Sequence, residues 1–132
     1  MATAATCTEV VGRTISHPDG GILIEYIWEW TATDGGAVGN DVSTIGLDIT
    51  GIVVGMKTMD NGTNPTGGYT ATFSDEDAYA FATLTATVGT TTYYGAPTVL
   101  GFPLFKQNVY LTVAGAGNAG QGKTILYVRQ GR

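Results

Sequence analysis

From Gly21 to Thr33 the chain reads GILIEYIWEWTAT, in which Ile22, Ile24, Tyr26, Trp28 and Trp30 alternate with Leu23, Glu25, Ile27, Glu29 and Thr31. A period of two predicts a long β-strand with one dry, aromatic face. On a helix the same aromatics would spread around the whole circumference and Glu25 and Glu29 would stack. Both tryptophans lie on the dry face, which therefore meets either the core of a two-layer β structure or a partner. A second alternating stretch, Ile45, Leu47, Ile49, Gly51 and Val53, turns Asp48 and Thr50 outward and runs to about Met59. Shorter strands are predicted over Glu9 to Ser16, through Tyr69, Ala71 and Phe73, over Thr83 to Tyr94 with a break at Gly89, and over Asn108 to Val113 and Lys123 to Arg129.

The segments between them carry turn chemistry. His17-Pro18-Asp19-Gly20-Gly21 combines a preset φ, a side chain that bonds its own backbone and glycines that accept positive φ. Asp34-Gly35-Gly36 opens a glycine-rich connection, and Asp60 to Gly68 is nearly all turn formers. Ser74-Asp75-Glu76-Asp77 has the spacing of a helix cap and predicts a short helix over Asp77 to Leu84. Pro97 and Pro103 bracket a loop or an edge segment. The glycines between Val113 and Lys123 predict a C-terminal hairpin. The pattern is all-β: a single-domain β-sandwich, jelly-roll-like, of about eight strands with at most one short helix. It spans residues 9–132 behind a flexible N-terminal arm over 1–8.

Composition sharpens this. With 132 residues the chain has room for one domain with a real core. Charged residues make up 13% of it, against roughly 25% in soluble domains, while 43% is hydrophobic. Such a surface suits a protein covered by neighbours in an assembly. Net charge is −5 and the isoelectric point about 4.5, with six Lys and Arg scattered singly. No basic run marks a nucleic-acid partner. Cys7 is the single cysteine, which rules out an intrachain disulfide. The N-terminus has neither a basic n-region nor a long apolar h-region, and no stretch has the length of a membrane span, so neither Sec export nor a membrane partner is expected.

Candidate chemistry fails stretch by stretch. Gly117 to Thr124 fits GxxxxGKT, and Gly115, Gly117 and Gly120 fit GxGxxG. A phosphate site needs a helix just after the lysine and threonine, yet Ile125 to Arg129 is β-branched and aromatic. Glu25 and Glu29 on one strand face stand about 13 Å apart, beyond the roughly 5 to 9.5 Å of paired glycosidase acids, and read as a solvent face. Asp75 and Asp77 lack the alternating ligands of a calcium loop. His17 has no partner, and Cys7 has no histidine beside it. Asn61-Gly62-Thr63 matches a glycosylation acceptor, set aside without a signal peptide. Tyr26, Trp28, Trp30, Tyr93 and Tyr94 could form a carbohydrate platform or a protein contact, with core packing the expected role of the two tryptophans. No catalytic residue, cofactor or metal ion is expected, and the chain reads as no enzyme.

Gly68-Tyr69-Thr70-Ala71-Thr72-Phe73-Ser74-Asp75-Glu76-Asp77, then Tyr93 through Gly101, Val109 to Val113, Gly115 to Lys123 and Ile125 to Val128, together resemble a class of small all-β virion proteins of tailed bacteriophages. In that class a strand ending in an acidic turn precedes a Pro and Gly segment and a C-terminal hairpin. The resemblance covers roughly residues 45–129. It implies a structural protein of the cement or decoration type, made in the bacterial host cytoplasm and placed on the capsid surface of the virion. The implied partners are the major capsid protein and further copies of the chain, as a dimer or trimer. Candidate contacts are Thr3, Thr6 and Cys7 in the arm, with Tyr93 and Tyr94. A tail or head-tail connector protein and a carbohydrate-binding β-sandwich module are the alternative readings.

Overall fold

The computed structural model describes residues 6–16, 18, 20–32, 48–62, 69–77, 79–86, 93–95, 102–115 and 120–131. These form nine strands: β1 (Thr6–Ser16), β2 (Ile22–Thr31), β3 (Asp48–Asp60), β4 (Tyr69–Ser74), β5 (Ala80–Ala86), β6 (Tyr93–Gly95), β7 (Phe102–Asn108), β8 (Tyr110–Ala114) and β9 (Gln121–Gln130). The larger sheet runs β1-β2-β9-β3-β6, with β7 also on β3, and the smaller runs β5-β4-β8. All pairings are antiparallel. The last strand lies between β2 and β3, so chain segments far apart in sequence alternate within one sheet, as they do in a jelly roll. The all-β sandwich expectation holds, with no helix among the described residues.

The period of two in β2 is what joins the layers. Ile24, Tyr26, Trp28 and Trp30 all enter the core cluster, where they meet Tyr69, Ala71 and Phe73 of β4 and Phe81 and Ala82 of β5. A column of rings crosses the sandwich. Trp28 lies 4.8 Å from Phe73, Phe73 6.4 Å from Phe81, and Phe81 4.9 Å from Phe102. Each such side chain, once buried, contributes on the order of 1.5–3 kcal/mol. Next to this column is a buried polar chain. Trp30 Nε1 donates to Thr124 Oγ1 at 2.9 Å, Thr124 Oγ1 is 3.0 Å from Thr58 Oγ1, and Thr58 Oγ1 is 3.0 Å from the Tyr69 hydroxyl. The two layers are thus pinned by hydrogen bonds as well as by packing.

Two local expectations are corrected. The segment predicted helical over Asp77 to Leu84 is a turn followed by β5. Asp75, not Ser74, is the capping side chain: its Oδ1 accepts the backbone N–H groups of Asp77 and Tyr79, each at 3.0 Å. That closes a β4–β5 hairpin in which Phe73 faces Ala82 across the ladder. The predicted C-terminal hairpin is absent, because β8 pairs with β4 in one sheet and β9 with β2 and β3 in the other. Of the two readings offered for the segment ending at Pro103, a loop or an edge segment, the second holds where it is described, with Phe102 and Pro103 in β7. There β7 borders β3 alone among the described strands, so the missing N–H costs no ladder bond.

The predicted first strand starts earlier than Glu9, with Thr6 and Cys7 paired to Thr31 and Trp30. Thr3, His17, Thr63 and most of the connection after Asp34 lie outside the described residues, as do the expected break at Gly89 and Pro97.

Candidate functional site

The outer face of the larger sheet is where chemistry collects. Because Trp28 and Trp30 point into the core, their neighbours Glu25, Ile27 and Glu29 point outward, opposite Tyr127, Ile125 and Lys123 of β9. The register carries this face on to Leu23 beside Arg129 and to Lys57 and Ile52 on β3. Ile15 joins it opposite Leu23, and Tyr94 opposite Lys57.

Glu25 was expected on a solvent face, and that is corrected: it is only 3% exposed. The cause is a bulge in β1, where Gly12 and Arg13 together oppose Glu25 between the Val11–Tyr26 and Thr14–Ile24 pairs. A Cβ at position 12 would sit 2.6 Å from Ile27 Cδ1, so that side-chain end would have to shift to admit any other residue. The bulge aims Arg13 across the strand. Its Nε donates to Glu25 Oε1 at 2.8 Å, its Nη2 to Oε2 at 3.1 Å, and its backbone N–H to Oε1 at 3.3 Å. These bonds from Arg13 hold the Glu25 carboxyl at a pKa of about 2 against the opposing pull of burial, with a further hydrogen bond from Tyr127. Lys57 Nζ lies 5.7 Å from the Tyr94 ring centre and 5.8 Å from that of Tyr127.

A pH dependence follows. The folded-state pKa of Glu25 is depressed, so its contribution is complete above the unfolded value and is lost as pH falls through about 2. Glu25→Gln is expected to cost about 1–2 kcal/mol near pH 7, after discounting for the exposed guanidinium. The gap in thermal midpoint between wild type and variant should close as pH drops from ~5 to ~2. An undiminished gap at the acid end would show that the ion pair is not its source.

Around this ion pair the face is apolar and open. Ile52 is 40% and Val54 47% exposed, Tyr94 72% and Phe105 74%. Val54 and Phe105 stand at the irregularities of β3 and β7, where the ladder slips by one residue and the side chains are lifted clear. Among the side chains described, four cations, Arg13, Lys57, Lys123 and Arg129, share the face with two carboxylates, Glu25 and Glu29. The face is therefore net cationic on a chain of net charge −5. Opposite in character is the β4–β5 turn, which carries Asp75, Glu76 and Asp77 next to the exposed Tyr79. Glu76 Oε1 accepts the Asn108 N–H at 2.9 Å and holds the turn against the end of β7.

The GKT residues are components of this sheet. Gly122 and Thr124 face the core and Lys123 the outside, so the lysine and threonine of the motif cannot reach one phosphate. No group of three or more His, Cys, Asp or Glu residues among those described is placed to hold a metal ion. The carboxylate of Asp75 serves the turn itself.

Of the candidate contacts, Tyr94 lies on this face. Tyr93 pairs through its backbone with Thr58, while Thr6 and Cys7 lie in the edge strand β1. Sequence reasoning missed Val54, Phe105 and the Arg13–Glu25 pair. The alternation of Ile52 and Val54 with the core positions Val53 and Met56 was the available signal for the apolar part.

No helix of the described residues is long and apolar enough to cross a membrane. No protein-family description matches the chain, and no curated protein matches it. Among solved structures it is similar to a chain from work titled "Bacillus endospore appendages form a novel family of disulfide-linked pili", with a TM-score of 0.45 and 17% identity over 89% of each chain.

Proposed function

We propose that the chain is a non-catalytic structural subunit that works by packing against neighbours in a particle, as a cement protein bound to the outside of a phage capsid lattice. The observation that carries the structural role is the open apolar face of the larger sheet, with Ile52, Val54, Tyr94 and Phe105 exposed near the Arg13–Glu25 ion pair. An apolar sheet face of this kind marks an interaction surface. The virion placement rests on the sequence resemblance of residues 45–129. Cement proteins of this kind act by burying modest surface across capsomer boundaries, repeated by symmetry. Strand β1, which among the described strands pairs with β2 alone, supplies a second, hydrogen-bonding contact by strand addition.

The test is an antibody raised to this chain, applied to particles purified from the source lysate and viewed in the electron microscope. Label spread over the heads is the expected outcome. Label on necks or tails would transfer the protein to the connector, and unlabelled particles of every kind would end the virion reading.

A further inference from the structure

We infer that the outer face of the larger sheet docks the acidic β4–β5 turn of a second copy, a head-to-tail contact that deepens the structural role proposed above and rests on it. The face presents Ile52, Val54 and Tyr94 among the cations Lys57, Lys123 and Arg129. The turn presents Glu76 and Asp77 beside an exposed aromatic ring, Tyr79. Each half supplies what the other lacks. Cations on an apolar ground meet carboxylates flanking an apolar ring, and the two lie on different parts of the same molecule.

Charge selects this pairing over a symmetric one. Two outer faces brought together about a two-fold axis would oppose Lys57, Lys123 and Arg129 with the same residues of the partner. With Glu25 already bound to Arg13, Glu29 is the remaining carboxylate on the face among the side chains described. Like charges across an interface disfavour it. The acidic turn has three carboxylates and no cation within it; Asp75 Oδ1 accepts from the turn backbone and Glu76 Oε1 from the Asn108 N–H, which directs the contact first to the exposed Asp77. Lys57 is preorganised for the role, held between the Tyr94 and Tyr127 rings. Because face and turn are different patches, each copy can donate one and accept with the other. The contact therefore propagates from copy to copy.

Sedimentation velocity of the full chain at rising concentration tests this. Wild type is expected to self-associate, less so when salt rises from ~0.05 to ~0.5 M. Val54→Asp disables the face and Asp77→Lys the turn. Each alone is expected to weaken self-association by about tenfold or more at unchanged far-ultraviolet circular dichroism and thermal midpoint. Mixing the two variants is the decisive arm. Asp77→Lys keeps an intact face and Val54→Asp an intact turn, so the mixture should form a 1:1 pair that grows no further. A wild type that stays monomeric overturns the contact, as does a mixture that fails to pair. Self-association undiminished by either substitution overturns it too and transfers the contact to the β1 edge. Binding of the same variants to purified particles, read by co-sedimentation, separates these failures from failure of the cement role.

Discussion

Trp28→Ala is expected to remove about 3–5 kcal/mol of folding stability, a large share of the roughly 5–15 kcal/mol that a domain of this kind holds. Trp28 is fully buried and begins the ring column that passes through Phe73 and Phe81 to Phe102, so truncation leaves a void between the sheets. Neighbouring rings are fixed by their own stacking and cannot collapse into it. The measurement is the urea midpoint with an unchanged slope, which separates lost stability from a changed unfolded state. A paired comparison isolates the polar part. Trp28 Nε1 is buried without a hydrogen-bond acceptor, whereas Trp30 Nε1 donates to Thr124. Trp30→Phe should therefore cost about 1 kcal/mol more than Trp28→Phe. Equal costs would mean that the Trp30–Thr124–Thr58–Tyr69 chain adds nothing to stability.

The second large effect falls inside the GKT motif. A Cβ on residue 122 would stand 2.1 Å from Trp30 Cζ2 and 2.5 Å from its Cε2. The indole cannot give way, because Thr124 holds its N–H and Tyr69 packs its ring edge-on at 5.5 Å. Gly122→Ala is expected to cost about 3 kcal/mol, at the upper end of overpacking changes. One residue on, Lys123→Ala lies on the outer face and should change stability by no more than about 0.5 kcal/mol. A phosphate site would invert this order: Lys123→Ala would abolish ATP binding, and Gly122→Ala would be felt there first. Titration calorimetry of wild type with ATP is expected to be flat, while denaturation of the two variants gives the ranking. A measurable ATP isotherm, lost in Lys123→Ala, would restore the nucleotide reading.

Where sequence reasoning succeeded, one face of a strand was dry along its whole length. Ile22 to Trp30 and Ile49 to Val53 turn alternate residues inward, and a slip of one position in the first would move every aromatic into water. Such strands are legible because each residue alone reports the same answer. The misreadings share a cause. Ser74 to Asp77 has a cap's spacing, which serves a helix or a hairpin turn equally well, and what decides is that Phe81 has a core to enter across from β4. The glycines before Lys123 suit a hairpin or an arch, and what decides is that β9 pairs with β2 and β3, strands formed some 60 to 100 residues earlier.

The candidate site was the least legible part. Cations at 13, 57, 123 and 129 are scattered singly along the chain, and nothing local links them. They converge because antiparallel registers place β1, β2, β9 and β3 side by side with these positions on the same side. Glu25 looked solvent-facing because alternation says which way a side chain points, not what lies over it. A bulge at Gly12 and Arg13, in the preceding strand β1, put Arg13 there. By itself, then, the sequence determined the class of the fold, the strands with a dry face and the residues that fill the core, since each follows from the local period of two and the transfer of apolar groups out of water. Which strands became neighbours, which layer each joined, and which distant charges came to share one surface were decided only by the tertiary structure, because those depend on pairings between segments that carry no information about one another until they meet.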